Sequence, residues 1–220
     1  MDTPIPEELF KRIASCGVMA VIAIDDPENA VPLARALADG GVKGIEMTLR
    51  TPAAVEAIRR IRAGCPDVLI GAGTVLNRSQ VEQVKAAGAI FGVSPGCNPS
   101  TLRAARELGL PFAPGVASPS DVEVAVEHGC RLLKFFPAAT CGGLPHLNAM
   151  AAPFAHLGIR YIPLGGISAA ELGAYLASPH VACVGGSWLA KPEVIRARDW
   201  KKITELATAA MAIVKTHRPA

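Results

Sequence analysis

Three side chains in this sequence could do chemistry together, and one of them is a charge out of place. Lys134 lies in Arg131-Leu132-Leu133-Lys134-Phe135-Phe136-Pro137-Ala138, a run that otherwise reads as a buried β-strand. Burial disfavours an ammonium relative to its neutral amine, and a neutral amine is a nucleophile that condenses with a carbonyl carbon to give a Schiff base. The bland alternative is a lysine on an edge strand, with its head carried out to water on its own methylene stem. In Ile45-Glu46-Met47-Thr48-Leu49-Arg50-Thr51, period-two alternation puts Glu46, Thr48 and Arg50 on one face and Ile45, Met47 and Leu49 on the other. Glu46 could move protons as general acid and base, and Arg50 could grip a carboxylate with paired N–H donors. Taken alone, the two read equally well as a structural ion pair.

Glycine-bearing segments add to this set. Gly71-Ala72-Gly73-Thr74-Val75-Leu76 could let backbone N–H groups approach a ligand, although glycines at such turns often serve packing alone. In Val93-Ser94-Pro95-Gly96, Pro95 offers a rigid apolar wall or merely a turn. Nearer the C-terminus, Pro163-Leu164-Gly165-Gly166-Ile167-Ser168 and Val184-Gly185-Gly186-Ser187-Trp188 each carry a glycine pair.

These residues must be positioned by a repeating scaffold. Short apolar strands near Val18-Ile24, Gly44-Thr48, Leu69-Ala72, Ile90-Val93, Phe112-Pro114, Leu132-Phe136, Tyr161-Leu164 and Val181-Val184 alternate with alanine-rich amphipathic helices. The helices are expected at about 27–39, 52–63, 79–87, 100–108, 120–128, 144–156, 169–177 and 199–215, after a short N-terminal helix over 6–15. Asp26-Pro27, Thr51-Pro52, Asn98-Pro99-Ser100 and Ser118-Pro119 mark starts, and Gly40, Gly64, Gly88, Gly109 and Gly129 mark stops. Successive strands begin 20 to 29 residues apart, one β/α unit each, so eight units use up the chain. The expected architecture is α/β, a single (β/α)₈ TIM barrel spanning residues 1–220 with a short N-terminal helix. An open doubly wound sheet would want a G-x-G-x-x-G turn after the first strand, and Ile22-Ala23-Ile24-Asp25-Asp26 supplies no glycine.

In such a barrel, chemistry sits at the C-terminal ends of the strands. The two glycine pairs then follow strands seven and eight, where many barrels bind phosphate on backbone amides and a helix N-terminus, and that reading is preferred to plain tight turns. A closed parallel barrel also has no edge strand from which Lys134 could reach water. The Schiff-base reading of Lys134 therefore prevails.

Composition narrows the class. Half of the 220 residues are hydrophobic but only 5% aromatic, so the core is aliphatic, and a net charge of +3 without a basic cluster gives no sign of a nucleic-acid or anionic-membrane partner. Six cysteines without C-x-x-C spacing point to reduced thiols in a cytoplasmic protein. The start, Met1-Asp2-Thr3-Pro4, lacks the basic-then-apolar pattern of a secretion signal, and no apolar run approaches the ~20 residues of a membrane span. No His/Asp/Glu spacing suggests a metal.

The sequence resembles the bacterial 2-keto-3-deoxy-6-phosphogluconate (KDPG) aldolases, a family that includes 4-hydroxy-2-oxoglutarate (KHG) aldolase activity. The resemblance is carried by Gly40-Gly41-Val42-Lys43, Glu46-Met47-Thr48-Leu49-Arg50-Thr51, Gly71-Ala72-Gly73-Thr74-Val75-Leu76, Ser94-Pro95-Gly96, Pro114-Gly115-Val116-Ala117, Lys134-Phe135-Phe136-Pro137-Ala138, Gly165-Gly166-Ile167 and Val184-Gly185-Gly186-Ser187-Trp188. It implies a class I aldolase, a carbon–carbon lyase of the Entner–Doudoroff pathway that cleaves KDPG reversibly to pyruvate and glyceraldehyde 3-phosphate. By the same likeness, Lys134 would form the pyruvate Schiff base, Glu46 would shuttle protons, Arg50 and Thr74 would clamp the pyruvate carboxylate, and Pro95 and Phe136 would shape the pocket. Gly165, Gly166, Gly186 and Ser187 would bind phosphate. The expected enzyme is a cytoplasmic homotrimer with no cofactor and no metal.

The chain departs from the family at Leu164, where the gluconate enzymes usually have threonine. An apolar residue there resembles the sister enzymes for the C4 epimer, 2-keto-3-deoxy-6-phosphogalactonate, which makes Leu164 a specificity candidate. Ala20 stands where proline is usual and His146 where lysine is common. Two further readings stay open at the sequence level. One is a phosphosugar isomerase or epimerase using Glu46 as base without a covalent step; the other is a non-catalytic sugar-phosphate binding module.

Overall fold

The architecture follows from strand pairing, taken from a computed structural model that describes residues 5–218; residues 1–4, where no secretion signal was read, lie outside them. Strand β1 (Val18–Ile22) pairs in parallel with β2 (Gly44–Thr48), β2 with β3 (Leu69–Gly73), β3 with β4 (Gly92–Val93) and β4 with β5 (Phe112–Ala113). On the far side, β6 (Gly115–Val116) pairs with β7 (Leu132–Phe135), and β7 with β8 (Arg160–Pro163). β9 (Val184–Gly186) returns to β1 through Val18↔Val184, Met19↔Gly185 and Ala20↔Gly186. β5 and β6 are one stave broken at Pro114, which has no N–H to give the ladder but accepts from Lys134 N at 2.8 Å. The last gap is spanned by the Tyr161↔Val181 bridge, so the eight staves form a ring.

One strand expectation and one helix start need correcting. The last strand was read at Val181-Val184, but Val181 makes only an isolated bridge and the paired strand is Val184–Gly186. The second glycine pair therefore lies within β9 rather than after it, and Gly186 is extended at φ −122°. Thr51 does not cap the following helix as expected. Its hydroxyl donates to Ile24 O at 2.5 Å, and α3 (Ala54–Gly64) starts later.

The helices cover the barrel: α2 (Ala30–Asp39), α3, α4 (Arg78–Ala86), α5 (Pro99–Leu108), α6 (Pro119–Glu127), α7 (Gly143–Ala151), α8 (Leu172–Ala177), α9 (Pro192–Arg196) and α10 (Trp200–His217), with α1 (Glu7–Cys16) at the N-terminal end. Asn77, Asn98 and Ser118 cap α4, α5 and α6 by accepting from Gln80 N, Ser100 N and Asp121 N, which satisfies otherwise orphan donors. The short α9 has no periodic pattern long enough to be read in sequence.

Two apolar layers result. Outward-facing Ile45, Met47, Leu133 and Phe135 pack under the helices with Leu33, Leu37 and Ile58; each such fully buried aliphatic side chain stabilises by roughly 1.5–3 kcal/mol relative to exposure. Inward-facing Met19, Leu69, Phe91, Val93, Leu132 and Ile162 fill the barrel interior, and Leu9 and Ile13 of α1 join them, so α1 plugs the N-terminal end. Gly71 makes this filling work, because a Cβ there would lie 2.2 Å from the Phe91 ring. Arg218 ties the same region together by donating to Val181 O at 2.5 Å and to Ala182 O.

Candidate active site

With the interior packed at one end, the polar face of β2 and the lysine of β7 meet at the other. Lys134 Nζ donates to Glu46 Oε1 at 3.1 Å, and the two residues are 4% and 2% exposed. Neither snorkels. Lys134 stands inward because its neighbours Leu133 and Phe135 face the helices, as the alternation requires. Its Nζ also lies 5.0 Å from the centroid of the Phe136 ring, two residues along the same face.

Two glycines make this pair possible. A Cβ on Gly73 would fall 2.1 Å from Glu46 Oε1, so the carboxylate occupies the space a side chain would take. A Cβ on Gly115, which is in register with Lys134, would fall 2.2 Å from Pro95 O. The missing side chain lets the Ser94-Pro95-Gly96 loop fold across toward the lysine, and Ser94 Oγ ties that loop by donating to Gly96 O at 2.6 Å. The sequence reading named both glycine segments without finding these roles; they are consequences of what crosses above each glycine.

Around the pair lies a cavity of about 280 Å³ lined by Val21, Glu46, Thr48, Arg50, Thr74, Pro95, Lys134, Phe136, Leu164, Gly165, Gly185 and Ser187. Nine of the eleven residues singled out in sequence are thus brought together. Gly166 and Gly186 are not in the lining: a Cβ on Gly166 would meet Ala139 Cβ at 2.6 Å, and one on Gly186 would meet the Trp188 ring at 2.6 Å. Gly185 lines the cavity instead, and a Cβ there would lie 2.3 Å from Leu164 Cγ, so the buried Leu164 leans into space the glycine leaves. Gly165 and Gly166 both take positive φ, 95° and 81°, at the turn after β8. Ser187 opens a four-residue 3₁₀ turn, Ser187–Ala190.

The charges in the cavity are unevenly matched. Lys134 and Glu46 pair with each other. Arg50, solvent-exposed beyond the end of β2, has no carboxylate within ion-pair distance among the described residues, and its Nε donates to Thr48 Oγ1 at 3.0 Å. Thr74 adds a hydroxyl on a backbone at φ 60°. The arrangement offers an amine next to a carboxylate, with a guanidinium open to an anion at the rim.

No cysteine lines the cavity, and burial pushes the Cys16 and Cys97 thiols up to about 11 and Cys130 up to about 12. At neutral pH these thiols stay protonated and are poor nucleophiles. His146 lies outside the lining: its ring stacks on Phe135 with centroids 5.8 Å apart, and its Nε2 donates to Ala117 O at 3.1 Å, so it packs α7 against the barrel wall. Ala20, buried in β1, pairs with Ile45 and Gly186. Among the described residues, no helix is long and apolar enough to cross a membrane.

The family model for KDPG and KHG aldolase matches residues 10–206. The chain belongs to the KDPG and KHG aldolase family. A 2-dehydro-3-deoxy-phosphogluconate aldolase of Dickeya dadantii is 47% identical to it over 92% of this chain and 94% of its own length. Among solved structures, the KDPG aldolase of Legionella pneumophila, with pyruvate captured at low pH as a covalent carbinolamine intermediate, superposes with a TM-score of 0.87 at 42% identity, covering 91% of this chain and 97% of that one. The 2-keto-3-deoxy-6-phosphogluconate aldolase of Zymomonas mobilis ZM4 with 3-phosphoglycerate gives a TM-score of 0.84 at 40% identity, covering 93% and 95%.

Proposed function

We propose that this chain is a class I aldolase that cleaves 2-keto-3-deoxy-6-phosphogluconate reversibly to pyruvate and glyceraldehyde 3-phosphate. The observation that carries the reading is the buried Lys134–Glu46 pair at 3.1 Å inside a cavity whose rim holds Arg50 with no carboxylate partner among the described residues. Lys134, having given up its proton, attacks the C2 ketone through Nζ. Glu46, which takes that proton, returns it to the carbinolamine hydroxyl as it leaves as water, and the resulting iminium draws electrons from the C3–C4 bond. Glu46, through a water, takes the C4 hydroxyl proton as that bond breaks; glyceraldehyde 3-phosphate leaves and an enamine of pyruvate remains on Lys134. Glu46 returns a proton to C3, and water releases pyruvate.

The remaining lining residues take roles from their placement. Arg50 and Thr74 hold the pyruvate carboxylate, and Pro95 and Phe136 give the pocket its apolar walls. Gly165 and Ser187, which line the cavity, hold the phosphate through backbone amides, with Gly166 and Gly186 adjoining them in the chain behind the lining. The 3-phosphoglycerate in the Zymomonas mobilis aldolase supports a phosphate subsite in this fold.

A carboxylate with so little room predicts a sharp substitution effect. Gly73→Ala should lower kcat on the order of 10²-fold, because the added methyl must move Glu46 by about an ångström. Steady-state kinetics beside a thermal melt checks this; a folded Gly73→Ala enzyme of normal kcat would mean that Glu46 is not the proton carrier.

Leu164 favours a second reading of the substrate. It puts a buried apolar side chain where a threonine hydroxyl would meet a substrate oxygen, so the C4 epimer, the galactonate 6-phosphate, is the competing substrate. Comparing kcat/KM for the two epimers tests this directly. The proposed function expects the gluconate epimer to be cleaved faster; a strong preference for the galactonate epimer would transfer the assignment. The full reading is a single-barrel, cytoplasmic, homotrimeric enzyme of the Entner–Doudoroff pathway that works without a metal.

A further inference from the structure

Thr48, the last residue of β2, lies in the cavity wall between Glu46 and Arg50, and its hydroxyl is committed in both directions. Thr48 is 3% exposed. Its Oγ1 donates to Ile22 O at 2.7 Å, at the end of β1, and accepts from Arg50 Nε at 3.0 Å. A hydroxyl has one proton, and the Ile22 carbonyl can only accept, so the proton goes to Ile22 and a lone pair faces Arg50. The direction of the chain Arg50 to Thr48 to Ile22 is therefore fixed by chemistry.

We infer that Thr48 is a positioning residue that aims the Arg50 guanidinium at the substrate carboxylate. Arg50 lies beyond the end of β2 on an exposed, rotamer-rich side chain, and no carboxylate among the described residues holds it. Holding such a side chain in one geometry costs rotamer entropy, and a planar fork anchored at one nitrogen loses less of it on binding. With Nε engaged by Thr48, the terminal nitrogens Nη1 and Nη2 are left to receive a carboxylate end-on. Ile22 closes the relay because its carbonyl belongs to the rigid barrel wall, in register with Met47 beside Thr48.

The inference rests on the aldolase reading and predicts a defect in affinity with chemistry spared. Thr48→Val replaces the hydroxyl by a methyl group of similar size. It should raise KM for pyruvate, read in the exchange of pyruvate methyl protons with D₂O, roughly tenfold while kcat stays within about threefold, since one hydrogen bond to a charged group is lost. Thr48→Ser should restore KM, and Thr48→Val should add nothing in an Arg50→Leu background. Thr101→Val is the control, since it removes another buried hydroxyl, one that donates to Leu76 O at 2.8 Å away from the cavity; it should leave KM unchanged. If Thr48→Val does not fold, Thr48→Ala is measured in its place. An unchanged KM, no rescue by serine, or an effect that adds fully to that of Arg50→Leu would overturn the inference. Borohydride trapping of pyruvate on the wild-type enzyme separates the two levels: no trapping defeats the aldolase reading, whereas trapping with an unaltered KM in the variant defeats only the role of Thr48.

Discussion

Lys134→Ala is expected to lose retro-aldol activity by at least about 10⁴-fold, because no other group in the cavity can form a covalent imine with the C2 ketone. The variant also strands the Glu46 carboxylate, 2% exposed, without its cation, and breaking a buried pair from one side typically destabilises by about 3–5 kcal/mol. A loss of activity in Lys134→Ala could then reflect partial unfolding. Lys134→Arg keeps a cation beside Glu46 and removes the nucleophile, so it should melt nearer the parent and remain inactive. A folded Lys134→Arg or Lys134→Ala protein that still cleaves substrate would mean that the chemistry does not pass through this residue, as a noncovalent isomerase or epimerase would require.

Glu46→Gln separates proton transfer from covalent bond formation. The amide keeps the shape that Gly73 accommodates but can neither accept nor return a proton as the carboxylate does. We expect kcat to fall between about 10² and 10⁴-fold, the usual contribution of general acid–base catalysis. Exchange of pyruvate methyl protons with solvent should fall with it, since that exchange is the C3 protonation step run in isolation. Exchange at the wild-type rate in Glu46→Gln would place the shuttle elsewhere in the cavity.

Much of this site was legible in the sequence because β-strands have period two. Once Ile45 and Met47 are assigned to the helix layer, Glu46 and Thr48 must face the barrel, and the same logic turns Lys134 inward between Leu133 and Phe135. The glycines were less legible, since a glycine shows only that something is absent. Gly73 and Gly115 matter for what occupies the missing side chain, the Glu46 carboxylate from β2 and the Pro95 carbonyl from the loop after β4, and both come from elsewhere in the chain. The end of the last strand was misplaced for a related reason. Gly185 and Gly186 look like a turn, yet pairing of Met19 and Ala20 with them extends the strand, and Gly185 rather than Gly186 meets the cavity. Thr51 shows the same limit: read locally it is a helix cap, whereas its hydroxyl is taken by Ile24 of the neighbouring loop.

The relay through Thr48 and the pair at Lys134 divide the work of the cavity. In the proposed mechanism, one side, reached from β1 and β2, holds a carboxylate without reacting with it, and the other, on β7, reacts with the adjacent carbonyl. A 2-oxo acid carries both groups on neighbouring carbons, and the cavity of about 280 Å³ spans them and leaves room toward the glycine turns for the rest of the chain.

The most direct test is to incubate the enzyme with pyruvate and sodium borohydride and to map the product by peptide mass spectrometry. The account predicts a single reduced pyruvate adduct, on Lys134. An adduct on a different lysine, or none while the enzyme is active, would contradict it.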